Sequence, residues 1–167
     1  MEGFEVTKIG KHIFCILDAG NSSFYMVEGD KKAAVIDTGI TTGKKITPLL
    51  RELTDKPLLL VATHVHCDHI YHMDEFEEVY MCHDEKKIEE TTLRTLTAGR
   101  LKPWDEIHDI HTDSVISLGG TELRICQVPG HTGKYSYSGN QGELPVHRRC
   151  DRKRMWSLDA DSRINGS

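Results

Sequence analysis

Residues Ala62-Thr63-His64-Val65-His66-Cys67-Asp68-His69 place three imidazoles and a carboxylate within six positions, directly after the apolar run Leu58-Leu59-Leu60-Val61. Neutral imidazole and carboxylate are the donors that zinc takes, and iron or manganese accept the same set. His64 and His66 are two apart, so in extended chain they point to one side and can share one ion. Asp68 and His69 follow where the chain must turn, and can face a second ion. A pair of ions polarises a carbonyl or phosphoryl oxygen and lowers the pKa of water towards neutrality, which is the chemistry of hydrolysis. Cys67 lies between the ligands but alternates away from them, and reads as a small filler.

Elements that can position this cluster are legible on both sides of it. Residues 4–9, 12–17, 22–28 and 32–37 alternate or run apolar between the turn signals Gly10-Lys11, Ala19-Gly20-Asn21 and Gly29-Asp30, which predicts an antiparallel meander. Thr41-Thr42-Gly43 can cap a helix over about 44–54, with Ile46, Leu49, Leu50 and Leu53 on one face. Strand 58–63 then delivers the histidines. Glu78–Cys82 reads as a short strand, and His83-Asp84-Glu85 opens a helix to about 98 whose charges form a solvated face. His72 reads as a plain helix residue, with a supporting role at the site as the alternative, and His83 as a surface residue near a strand end. Residues 99–109 form a linker. Ser114–Leu118 and Glu122–Val128 make a hairpin around Gly119-Gly120, and its second strand leads to His131. Strands alternating with helices in this order predict mixed sheets with helices outside.

Two further motifs join the first: Val35-Ile36-Asp37-Thr38-Gly39 and Val128-Pro129-Gly130-His131-Thr132-Gly133. With H-x-H-x-D-H between them, the three resemble, in order and spacing, the metallo-β-lactamase fold superfamily over about residues 5–133. The resemblance implies an α/β fold, an αββα sandwich incomplete in its C-terminal half. It implies a two-ion site, zinc in the first instance, with His64, His66 and His131 on the first ion and Asp68 and His69 on the second. Asp68 would also orient the attacking water, and Asp37 would fix the ligand loop by hydrogen bonds. The implied activity is hydrolysis of a small ester, thioester or lactone. His66 stands where the redox di-iron branch usually has glutamate, which favours hydrolysis; an iron persulfide dioxygenase, which shares H-x-H-x-D-H, and a non-enzymatic metal-binding fragment are the alternatives. Ile70-Tyr71-His72-Met73 departs from the glycines that many members have there.

Composition bounds the rest. The chain has 167 residues, net charge −5, ten histidines and five cysteines, enough for one domain with a sizeable core. The odd, widely spaced cysteines argue for reduced thiols and a cytoplasmic setting. No signal peptide, apolar run of membrane length, or basic-aromatic interleaving appears before residue 147, so the expected partner is a small molecule, with neither nucleic acid nor membrane. From Lys134 the family pattern stops, which separates a domain over 1–133 from an atypical basic tail over 134–167. Six of the 21 basic residues fall in the last 20 positions. Two readings of the tail stand: a polar, disordered segment contacting anions, or the product of a shifted reading frame. Shifted by one base, the codons of Val146-His147-Arg148-Arg149-Cys150 admit F-I-G-D-A, at the distance where the family carries its bridging aspartate. Apolar faces left without partners by either ending would favour a homo-oligomer.

Overall fold

A computed structural model describes residues 3–126 except 20, 21 and 42, together with Leu144–Pro145 and Ser157–Leu158. His131 and its motif lie outside the described residues, as does most of the basic tail. The chain forms two compact units, residues 1–28 with 32–109, and residues 29–31 with 110–167.

The first unit is mixed α/β, built on strands in the order β1 (Phe4–Lys8), β2 (Ile13–Asp18), β3 (Ser23–Glu28), β4 (Ala33–Ile36), β5 (Leu58–Ala62), β6 (Glu78–Cys82) and β7 (His108–Ile110). The expected meander is there: β1 to β4 pair antiparallel, each with its sequence neighbour. From β4 to β6 the pairing turns parallel, with Val35 opposite Leu60 and Leu60 opposite Val79. The two modes match the sequence. β1 has only exposed and half-buried positions and β2 mixes half-buried with buried ones, whereas all four residues of β4 and the last four of β5 are buried, as parallel strands covered on both faces require. Fully buried Val35, Leu60, Val79 and Met81 join Phe24, Met26, Leu50 and Met73 in one core. Each such side chain contributes roughly 1.5–3 kcal/mol.

Parallel strands need crossovers. The first contains α1 (Thr47–Leu53), the second α2 (Cys67–Ile70) and a 3-10 turn over Met73–Glu75. The expected start of α1 is corrected: its N-cap is Ile46, with no capping side chain of its own. Glu75 does the work from the other crossover, accepting hydrogen bonds from Ile46 N (3.3 Å), Thr47 N (2.9 Å) and Thr47 Oγ1 (2.7 Å), which satisfies orphan donors of the first turn. The single helix expected over 84–98 is also corrected. Residues His83–Lys87 wind as a 3-10 turn, and α3 runs from Glu90 to Leu96. Glu85 is buried, at 6 % exposure; turned inward, it cannot sit on a solvated helix face. The stretch read as a linker carries a 3-10 turn at Trp104–Glu106 and then β7.

In the second unit β8 (Val115–Ser117) and β9 (Glu122–Arg124) form the expected hairpin, with Ile116 opposite Leu123. Gly119 and Gly120 both take positive φ, 77° and 70°, the pair of values a two-residue primed turn demands. Leu144–Pro145 and Ser157–Leu158 pair antiparallel. No helix among the described residues is long and apolar enough to cross a membrane.

Candidate metal centre

β4, β5 and β6 run parallel, so their C-terminal ends lie on one edge of the sheet, where ligands of open α/β sheets bind. Asp37 follows β4 directly. Thr63, His64 and His66 follow β5, and Asp68 and His69 lie in α2, which opens immediately afterwards. The His64 ring centroid is 4.6 Å from that of His66 and 3.9 Å from that of His69. Four of the five residues expected to bind metal are thus gathered at one strand end. The fifth, His131, lies outside the described residues.

Asp37 organises this cluster. It is 6 % exposed and has φ of 64°, a left-handed backbone that costs a non-glycine residue free energy. Its N–H donates to Val61 O at 3.1 Å. Its Oδ1 accepts from Thr63 N at 2.7 Å, and its Oδ2 from Thr63 Oγ1 at 2.7 Å. The same Oδ2 lies 2.7 Å from His69 Nδ1. Thr63 Oγ1 is in turn 2.9 Å from His64 Nδ1. One carboxylate therefore braces both the loop backbone and an imidazole.

With Nδ1 held by Asp37, His69 turns Nε2 towards Asp68 Oδ2 at 3.2 Å. Burial works against the charged His69 ring, but the carboxylates of Asp37 and Asp68 outweigh it and push its pKa up to about 10. The hydrogen bond from His69 in turn holds the Asp68 carboxyl well below the usual carboxylate range. Among the described residues no three histidine, cysteine or carboxylate groups converge into a ligand set by themselves. The donors fit a cation all the same: nitrogen and oxygen, with one nitrogen of His69 anchored by a carboxylate and the other presented, the usual orientation of a ligating imidazole.

Three residues that sequence reasoning passed over support the same edge. Asp18, 3 % exposed, accepts from Ser22 N at 2.9 Å and from Ile40 N at 2.7 Å. Gly39 is tied to it, since a Cβ there would stand 2.7 Å from Asp18 Oδ2. Strand alternation could have flagged Asp18, which lies two residues after buried Ile16 on the same face. Ser22 Oγ reaches Asp68 Oδ2 at 3.5 Å. Glu85, just past the end of β6, accepts from Val65 N at 3.2 Å. His72 is no plain helix residue, since α2 ends at Ile70. It is fully buried, with Nδ1 2.8 Å from Glu75 Oε1 and its N–H on Thr38 Oγ1 at 3.2 Å. His83 is exposed and pairs with Asp109 at 2.9 Å. Cys67 is a half-buried thiol.

Comparison with known proteins agrees with this architecture. The human acyl-coenzyme A thioesterase MBLAC2 is 27 % identical over 197 residues, covering 95 % of this chain and 67 % of the relative. The exodeoxyribonuclease WalJ of Streptococcus pneumoniae is 48 % identical over 63 residues, 35 % of this chain and 23 % of that protein. Among solved structures, a metallo-β-lactamase from Pontibacter korlensis superposes with a TM-score of 0.55 at 21 % identity, over 76 % of this chain and 61 % of its own. The chain thus spans about two thirds or less of the length of these proteins. The family model of the metallo-β-lactamase superfamily, whose members typically bind metal ions, matches residues 17–142, nine positions past Gly133. Three strand ends converging on one histidine-rich edge, and a family match over most of the chain, place this protein in the metallo-β-lactamase superfamily.

Proposed function

We propose that this chain is a metal-dependent hydrolase acting on a small thioester, ester or lactone. The observation that carries the reading is His69, braced on Nδ1 by buried Asp37 and presenting Nε2 beside Asp68. Such a carboxylate–imidazole pair serves a ligand better than a surface, because it fixes tautomer and ring orientation. His64, His66 and His131 would hold a first ion and Asp68 and His69 a second; zinc suits these donors best, and iron or manganese are accepted too. When bound, the ions polarise the acyl oxygen and make water a nucleophile near neutral pH. Asp68, half exposed at the rim, orients that water through its carboxylate. Asp37 and Thr63 would orient the rings of His69 and His64 through their Nδ1 atoms. The likeness to a human thioesterase supports a thioester as substrate.

The test is hydrolysis by the purified chain, after metal loading, of an acyl-coenzyme A, a lactone and single-stranded DNA, with a chelator-treated control. Thioester or lactone turnover lost on chelation is the expected result. Turnover of DNA alone would instead favour the chemistry named for the streptococcal relative. One iron per chain with sulfur oxidation would overturn hydrolysis, and metal binding without any turnover would leave a binding fragment.

A further inference from the structure

Beyond residue 62 the ligand loop leaves the sheet, and its alternate N–H groups need new acceptors. Thr63 N finds Asp37, on the loop after β4. Val65 N, midway between His64 and His66, finds Oε2 of Glu85 at 3.2 Å, on the turn after β6. The two carboxylates thus come from the strands on either side of β5. Glu85 and Val65 are 6 % and 1 % exposed, so this contact is closed to water.

Burying a carboxylate is costly unless its hydrogen bonds repay it. A residue held only for packing would be apolar here. From these observations we infer that Glu85 is a positioning residue for the His64–His66 pair: its carboxylate pins the peptide N–H between them and sets the separation of their rings. The inference rests on the reading of His64 and His66 as ligands. Their rings, 4.6 Å apart, answer to the backbone at Val65, because both side chains hang from peptides that flank it.

The test uses the full chain and zinc alone, with affinity read by competition against a chelating dye. Protection of the Val65 amide against hydrogen exchange is read in the metal-free protein. Glu85→Gln keeps an acceptor at the same reach and should hold affinity within about threefold of the original, with the amide protected. Glu85→Asp, one methylene shorter, and Glu85→Ala should lose roughly 10–100-fold in zinc affinity, the range for residues that orient metal ligands, and lose the protection. Leu93→Ala, which opens a buried position in α3, should lower stability and leave affinity unchanged. That contrast separates positioning from general destabilisation. Equal zinc affinity in Glu85→Asp, or a loss in Glu85→Gln as large as in Glu85→Ala, overturns the inference while the metal site stands. No zinc binding by the unaltered chain overturns both.

Discussion

Strands β1 to β3 and strands β4 to β6 share one sheet, yet they dispose of their ends in opposite ways. The antiparallel hairpins close on themselves: Ile9 N meets Ile13 O at 3.0 Å, and Asp18 N meets Ser22 O at 2.9 Å. Backbone satisfies backbone at both turns, with the Asp18 carboxylate adding one bond from Ser22 N at the second. The parallel strands cannot do this, because each must leave the sheet to cross over. Their departing N–H groups are met by side-chain carboxylates instead, Asp37 for Thr63 and Glu85 for Val65, and within the first crossover Glu75 meets Ile46 and Thr47 at the start of α1. Asp37 and Glu85 are therefore buried where the chain exits a parallel strand, Asp18 at the end of β2 reaches the same edge through Ile40 N, and a histidine-rich loop placed there inherits a ready supporting frame. Chemistry gathers in the parallel half because of how parallel strands end.

That contrast can be broken experimentally. The largest effect is expected from the double variant His64→Ala, His66→Ala, which should lose one ion per chain by elemental analysis and reduce hydrolysis to background; unchanged metal content would refute the assignment. Leu60→Ala, at a fully buried position of β5, should cost about 2–5 kcal/mol in urea unfolding. Phe14→Ala in the half-buried meander should cost clearly less, and equal costs would erase the difference between the two halves. Asp37→Ala should weaken zinc binding roughly 10–100-fold, measured by chelator competition, since it frees Thr63 N and His69 together.

A pH series sharpens the carboxylate half of the argument. Burial alone would raise the Glu75 carboxyl, but its bonds to His72 and Thr47 lower it from 4.5 to about 2. A carboxyl lowered on folding stabilises the fold above its unfolded pKa, and that gain drains away as pH falls from about 4.5 towards 2. The stability gap between the original chain and Glu75→Gln should accordingly narrow by about 2 kcal/mol between pH 6 and pH 3. A gap constant with pH would mean that charge at Glu75 is immaterial. The smallest effect belongs to the surface: Lys32 and Glu78, 2.7 Å apart and only partly buried, should contribute less than about 1 kcal/mol, so Lys32→Ala should barely shift the transition.

The meander, strand β6 and the gathering of His64, His66, Asp68 and His69 were legible in the sequence because each rests on a local signal, alternation or ligand spacing. The brace at Asp37 was legible only through resemblance. What stayed hidden depends on partners distant in sequence. Glu85 reads as a surface helix residue because its neighbours Asp84, Lys86 and Lys87 are charged; only the parallel register of β6 with β5 brings it to Val65. His72 and Glu75 look like a polar stretch until Thr38, Thr47 and Arg100 close around them. Asp18 could have been found from the inward face of β2.

The capping of α1 by Glu75 carries a consequence for the order of folding. A seven-residue helix is far too short to persist in water on its own, and its first N–H groups wait for a carboxylate 28 positions further along the chain. Residues 46–53 therefore have little to hold them helical until the second crossover is in place. The core's Leu49 and Leu50, carried on that helix, pack in the same core as Leu60 of β5. Helix α1 and the second crossover are thus tied together by Glu75, so a lesion at Glu75 should be felt in both.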